Sequence, residues 1–176
     1  RERRFRTEYG LSAYDAAVLG AERGVADYYE EVVAGTGDPK TSSNWVMREV
    51  LEGLKSGDRG IEDYPVTPGR LVGLIGLVKD GTISGTAGRD VFMEMLETGE
   101  ESVDVVRRLG LRQISGEDEL ESMIDRILTE HPREVGRYRA GKSQLLKFFV
   151  GEVMKESRGK ANPKLTGILI RRKLDS

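Results

Sequence analysis

One segment of the 176-residue chain, Gly136 to Ser143, matches the pattern G-x-x-x-x-G-K-[ST] of a phosphate-binding loop. A loop of that kind follows a buried strand, so that backbone amides at the start of the next helix converge on the phosphates. Residues 129–135 are polar and have a helical pattern instead. We therefore predict that Gly141 ends one helix shortly before another begins. ATP binding at this segment is kept as an alternative.

A second segment with phosphate-binding chemistry lies between residues 155 and 163. It combines cations with the N-terminus of a predicted helix and with a glycine, whose missing Cβ allows a close approach. An interhelical loop with a good N-cap would have the same composition, so both interpretations stay open. The residues concerned are Lys155, Arg158, Gly159, Lys160 and Asn162, followed by Pro163 in the first helical turn.

Most familiar catalytic chemistries lack their residues in this chain. There is no cysteine and only one histidine, His131, which excludes disulfides, thiol nucleophiles, zinc clusters and Ser-His-Asp triads within the sequence given. Acidic pairs such as Glu100-Glu101 are adjacent in sequence and point to different faces of a helix or lie in loops. We predict no catalytic residue and no metal site.

The charges are unevenly distributed, although the net charge is only −2. Residues 1–113 hold 15 basic and 20 acidic side chains, whereas residues 137–176 hold 11 basic and three acidic ones. Such a local excess suits an anionic partner, and a solvated basic face is the simpler alternative. With 38% hydrophobic residues, no run long enough to span a membrane and no signal-peptide pattern, we expect a soluble cytoplasmic protein.

Helical periodicity predicts an all-α fold of two small domains, 1–113 and 114–176, that move relative to each other. Five helices are expected in the first domain, and a capping box at Ser115 and Asp118 opens the second. We predict core packing, not base stacking, for Trp45 and for the tyrosines at helical spacing, Tyr14, Tyr28 and Tyr29. The predicted helices of the first domain begin near Ser12, Ser43, Thr67 and Ser84, with a fifth between Gly99 and Gly110, and those of the second begin after Ser115, His131, Gly141 and Asn162.

Ordered strings along almost the whole chain resemble a known family, the carboxyl-terminal helical domain and YqeY-like tail of the B subunit (GatB) of the aspartyl/glutamyl-tRNA amidotransferase. These strings are specific enough to outweigh the simpler interpretations given above. They include Tyr9-Gly10-Leu11, Asn44-Trp45, Gly81-Thr82-Ile83-Ser84-Gly85, Gln113-Ile114-Ser115, His131-Pro132, Phe149-Val150-Gly151 and Arg158-Gly159-Lys160-Ala161-Asn162-Pro163.

The resemblance implies an enzyme component that converts Glu-tRNA(Gln) or Asp-tRNA(Asn) to the amidated form, using ATP and ammonia from a partner glutaminase. In that family ATP and Mg are bound in an amino-terminal domain, so we expect no cofactor in this chain, which we interpret as a fragment. Implied partners are tRNA(Gln) or tRNA(Asn) and, through the full-length protein, the A and C subunits of the amidotransferase. No membrane or DNA partner is implied.

The resemblance also implies that the tail binds the outer corner of tRNA, around the D-loop, through shape and backbone contacts. Residues 86–89 differ from the lysine-rich sequence usual in the family, which argues against a cationic contact there. Alternatives are a protein-docking module within the amidotransferase complex and the equivalent region of the E subunit of the archaeal enzyme. The residues we predict to bind RNA are Lys142, Lys147, Lys155, Arg158, Gly159, Lys160, Asn162, Arg171 and Arg172.

Overall fold

A computed structural model describes residues 1–57, 60–114 and 116–176. The predicted all-α fold is confirmed: in these ranges the only β pairing is an isolated parallel bridge between Ile114 and Ala161. The chain forms two compact units, Arg1–Lys79 with Gly85–Leu109, and Asp80–Ser84 with Gly110–Ser176. We call them unit 1 and unit 2. The domain bounds suggested by the sequence, 1–113 and 114–176, stay a prediction.

Unit 1 contains eight α-helices in its described residues, where the sequence predicted five. A π-helix, Val46–Val50, joins α4 to α5, and a short 3-10 helix spans Ile61–Asp63. Helix α3 packs against α6, and both bury apolar residues. The helices are α1 (Glu2–Thr7), α2 (Ala13–Gly20), α3 (Arg23–Thr36), α4 (Pro39–Trp45), α5 (Leu51–Ser56), α6 (Pro68–Lys79), α7 (Gly85–Thr98) and α8 (Ser102–Leu109).

Two of the helices in unit 1 come from one predicted helix that is divided. Ser12 does cap it, since its Oγ accepts a hydrogen bond from the Asp15 amide, but Glu22 is extended (φ −116°, ψ 138°) and α3 starts afresh after it. The break resets the helical phase. Tyr14, predicted to pack in the core, is therefore 72% exposed, whereas Tyr28 and Tyr29 are buried as predicted.

Helix α4 begins four residues earlier than expected. Its N-cap is Asp38, whose side chain accepts a hydrogen bond from the Thr41 amide, and Pro39 occupies the first turn. The hydrogen bonds from Thr41 lower the pKa of Asp38. The expected start at Ser43 is wrong because Ser42 and Ser43 are buried inside the helix, and neither acts as its cap.

Unit 2 contains four α-helices in its described part, where the sequence predicted four helix starts. Leu120 and Ile124 from α9, Phe149 from α11 and Leu169 from α12 are buried in one apolar core. His131 ends α9 and begins α10, and Pro132 follows it in the first turn. The predicted cap Ser115 lies outside the described residues. The helices are α9 (Glu117–Glu130), α10 (Pro132–Arg139), α11 (Leu145–Glu156) and α12 (Pro163–Leu174).

The close packing of α3 on α6 predicts opposite effects for two glycines. A Cβ on Gly35 would lie 2.6 Å from Cγ2 of Val72, a stiff β-branched side chain, whereas a Cβ on Gly76 would meet nothing within 4 Å. We expect Gly35→Ala to lower the free energy of unfolding by about 1–3 kcal/mol and Gly76→Ala to raise it by about 0.5–1 kcal/mol. Urea unfolding measures both. A Gly35→Ala protein as stable as Gly76→Ala would contradict the packing.

Candidate nucleic-acid interface

Helix α11 has an apolar face and a cationic face. Phe149 and Val153 are fully buried in the core of unit 2. Lys147, Gly151 and Lys155 are exposed and follow one another at four-residue intervals, so they form a single row along the helix. We call these three residues the α11 row. The predicted RNA-binding residues Lys147 and Lys155 therefore lie on one face of α11, with Gly151 between them.

The turn between α11 and α12 continues this cationic surface. Ser157 is buried; its Oγ donates a hydrogen bond to the Met154 carbonyl and accepts one from the Ala161 amide, each 3.1 Å long. Arg158 and Gly159 both adopt left-handed backbone conformations, with φ of 54° and 77°. Arg158 is exposed, and its conformation is one that glycine adopts at lower cost. The buried serine thus fixes a turn that presents an arginine.

Main-chain hydrogen bonds hold the end of this turn. The Ile114 amide donates to the Lys160 carbonyl at 2.5 Å, and the Asn162 amide donates to the Ile114 carbonyl at 3.0 Å. Lys160 is exposed, and its Nζ lies 3.9 Å from the position that a Cβ on Gly110 would occupy. These bonds fix the position of residues 160–162 in unit 2 independently of the side chains of the turn.

Asn162 is the N-cap of α12, as the sequence predicted. Its Oδ1 accepts hydrogen bonds from the amides of Lys164 and Leu165, both 3.1 Å long. Ile168 is 56% exposed and lies between Lys164 and Arg171 at helical spacing. We call Lys164, Ile168 and Arg171 the α12 row. Lys164 was missed in the sequence analysis, although its spacing from Arg171 would have indicated it.

Ion pairs with helix α9 divide the cations of unit 2 into two groups. Arg172 contacts Glu117 at 2.6 Å and Glu121 at 2.5 Å, and the hydrogen bonds it donates to them raise its pKa. Lys173 contacts Asp125 at 2.8 Å. Arg172 therefore has balancing charges within the protein. Six predicted cations have no ion-pair partner among the residues that the structure describes: Lys142, Lys147, Lys155, Arg158, Lys160 and Arg171.

The segment that matches a phosphate-binding loop does not have the conformation of one. Gly136 lies inside α10, and no strand precedes it in the described part of unit 2. Its backbone amides already donate to carbonyls: Gly141 to Tyr138, Lys142 to Arg137 and Ser143 to Gly141. Because a phosphate cradle needs converging amides that are free to donate, this segment is a helix end followed by a turn, with Gly141 at φ 102°.

Unit 1 contains a groove of about 530 Å³ beside the π-helix. Trp45 forms one wall, and a Cβ on Gly88 would stand 3.1 Å from its Cη2, so the indole packs closely on α7. Arg89 pairs with Glu49 at 3.4 Å, which balances the charge of the one cation in residues 86–89. The groove is open and has mixed polarity.

Neither a metal site nor a membrane span is found among the described residues. No group of His, Asp and Glu side chains there could hold a metal ion. None of the helices there has the length and apolar character that crossing a membrane requires.

Comparison with known proteins gives consistent matches. A family model described as the GatB domain matches residues 27–174. Similar curated proteins are named as the B subunit of aspartyl/glutamyl-tRNA(Asn/Gln) amidotransferase. One from Chlorobium phaeobacteroides (strain BS1) is 46% identical over 99% of this chain and 37% of its own length. One from Anaplasma marginale (strain Florida) is 45% identical over 99% of this chain and 36% of its own length. The chain therefore spans little more than a third of these relatives.

The buried serine of the turn leads to a stability prediction. We expect Ser157→Ala to lower the free energy of unfolding by about 1–3 kcal/mol, because the Ala161 amide would lose its acceptor in a buried position. Ser122→Ala is the control: this exposed serine on α9 donates a hydrogen bond to the Asp118 carbonyl, and its loss should change stability by less than about 0.5 kcal/mol. Unfolding monitored by circular dichroism compares the two, and equal stabilities would disprove the role of Ser157.

Proposed function

The chain belongs to the GatB domain family, and on that basis we propose that it is the tRNA-recognising, noncatalytic part of the B subunit of an aspartyl/glutamyl-tRNA(Asn/Gln) amidotransferase. In this proposal the full-length protein takes part in converting Glu-tRNA(Gln) or Asp-tRNA(Asn) to the amidated form in the cytoplasm. ATP and Mg are bound outside these residues, and the A and C subunits are partners of the full-length protein. The names of the relatives favour the B subunit over the archaeal E subunit that the resemblance left open.

The observation that carries the proposal is the separation of charge within unit 2. Helix α9 has six acidic residues and one basic residue, whereas residues 145–174 have eight basic and two acidic residues. The ion pairs with α9 involve Arg172 and Lys173 near the end of α12, and leave the α11 row, the turn and the α12 row unbalanced. Exposed cations without an ion-pair partner favour binding of a polyanion, because no ion pair within the protein has to be broken first.

Helix geometry supports a single binding surface made from the two rows. Consecutive helices that pack on each other across a short turn run antiparallel. The contact between α11 and α12 passes through Val150 and Gly167, where a Cβ on the glycine would lie 3.9 Å from Cγ2 of the valine. Gly151 and Ile168 each follow a contact residue by one position. On antiparallel helices, the residue one position after the contact residue points to the same side in both helices. The α11 row and the α12 row therefore lie on the same side of the contact.

This geometry orders the predicted RNA-binding residues by expected contribution. Lys147, Lys155 and Arg171 should contribute most because they lie in the two rows, and Arg158 because the left-handed turn between the rows presents it. None of these four has an ion-pair partner in the described part of the chain. Lys142 and Lys160 flank that surface. Arg172 should contribute less because Glu117 and Glu121 balance its charge. Gly159 and Asn162 act through the backbone of the turn and the start of α12.

A second candidate function is protein docking through unit 1. The groove beside Trp45 favours it, since a partly exposed aromatic wall with Arg48 and Arg89 nearby has the composition of a protein interface. In that case the tail would be a solvated basic face. Binding of tRNA that is weak and insensitive to salt would favour this candidate, because phosphate contacts make RNA binding steeply salt-dependent.

The α11 row predicts a measurable salt effect. Lys147→Gln and Lys155→Gln should each weaken binding of the chain to tRNA and reduce the slope of log affinity against log salt by about 0.7–0.9, the value for one lost phosphate contact. The control is Arg107→Gln on α8, a side chain 79% exposed that pairs with Asp104. Filter binding across a salt series tests this, and unchanged slopes in both lysine variants would rule out the α11 row as an RNA contact.

Arg158 should separate stability from binding. Glycine is favoured in its left-handed conformation, so we expect Arg158→Gly to unfold at the same temperature as the unmodified chain or higher. The same variant should bind tRNA several-fold more weakly, because an exposed cation is lost. Arg158→Lys keeps the charge and should retain most of the affinity. If Arg158→Gly binds tRNA normally, the arginine has no role in recognition.

A further inference from the structure

Helix α11 has a glycine at the centre of its exposed face. Gly151 lies in the interior of the helix Leu145–Glu156, and a Cβ built on it would meet no heavy atom within 4 Å. Glycine in a helix interior is less stable than alanine, because it loses more backbone entropy on folding and contributes no side chain. No close contact among the described residues therefore requires glycine at position 151.

Exposure alone does not distinguish Gly151 from other helical glycines. Gly76 in α6 is also exposed, and a Cβ added to it would have no heavy atom within 4 Å. The difference lies in the neighbours one turn away on each side. Gly76 lies between Val72 and Asp80, whereas Gly151 lies between two exposed lysines of the α11 row. Of these two glycines, only Gly151 leaves a gap in side-chain cover between two cations.

The size of this gap follows from helix geometry. Lys147 and Lys155 are eight residues apart, which is about 12 Å along the helix axis. A polyanionic strand lying along the row can reach both ammonium groups while its middle rests on the helix backbone, provided that no Cβ projects there. Since the amides of a helix interior are already bonded, contact at the gap would be van der Waals and Cα–H···O in character. It would depend on shape and carry no base sequence information.

We propose that Gly151 is the point at which the sugar–phosphate backbone of RNA comes closest to unit 2, with Lys147 and Lys155 bound to phosphates on either side. This inference rests on the proposed tRNA-binding function and adds a position that no charge count could identify. RNA is favoured over an acidic protein segment because the unbalanced cations continue beyond the α11 row, through Arg158 into the α12 row. The glycine thus acts as a positioning residue that sets how closely the partner approaches.

The test compares Gly151→Ala with Gly76→Ala in the whole chain, using an unmodified tRNA transcript as the probe. Both variants should raise the midpoint of thermal unfolding by about 2–4 °C, because both gain helix propensity at an exposed position. Only Gly151→Ala should weaken tRNA affinity, by about tenfold, and Gly151→Leu should weaken it further. The salt slope of Gly151→Ala should equal that of the unmodified chain, because no cation is removed.

The possible outcomes separate this inference from the function on which it rests. If Gly151→Ala binds tRNA as tightly as Gly76→Ala while the lysine variants bind weakly, the close approach is disproved and the tRNA-binding function stands. A reduced salt slope in Gly151→Ala would also disprove it, because the alanine would then act by displacing a cation. If the unmodified chain does not bind tRNA at low salt, both the inference and the proposed function fail.

Discussion

Unit 2 depends on main-chain hydrogen bonds that join three segments distant in sequence. The Ile114 amide and carbonyl pair with Lys160 and Asn162, and the neighbouring Gln113 amide donates to the Thr82 carbonyl at 2.6 Å. Thr82 is itself held by Asp80, whose side chain accepts a hydrogen bond from the Thr82 amide. This explains why residues 80–84, which stand between α6 and α7 in the sequence, group with the tail. The turn that presents Arg158 is positioned by these bonds.

Electrostatics in unit 2 follow from which cations have a protein partner. Ion pairs link α9 to α12 through Arg172 and Lys173, and link α9 to α11 through Arg126 and Glu156 at 2.5 Å. These pairs are exposed and contribute little to stability individually. Their larger effect is on the surface charge, because they neutralise the cations nearest the acidic helix. The remaining cations then present one sign of charge to a partner, which is the condition for salt-dependent recognition of a phosphate backbone.

Sequence rules predicted the elements whose signals are local. Caps at Ser12 and Asn162 were predicted correctly because an N-cap needs only a side chain and the next few amides. The break before α3 was not predicted, because the apolar spacing runs on across it. The end of α2 lies close to α1, a contact distant from the local pattern, since a Cβ on Gly20 would lie 3.6 Å from the Glu2 backbone. The pairs of Arg172 with Glu117 and Glu121 span more than 50 residues, so no local pattern could indicate that its charge is balanced.

The discontinuity of unit 2 has a consequence for the order in which the protein is made. Synthesis proceeds from the amino terminus, so Thr82 and Ile114 leave the ribosome before residues 160–162, their companions in the hydrogen-bonded junction. Helices of unit 1 can find partners close in sequence as they emerge, and segments with local contacts fold early. The bonds of Ile114 to Lys160 and Asn162 must wait until residues 160–162 have emerged, although the bond between Gln113 and Thr82 can form earlier. The tail therefore closes late in the biogenesis of this part of the chain.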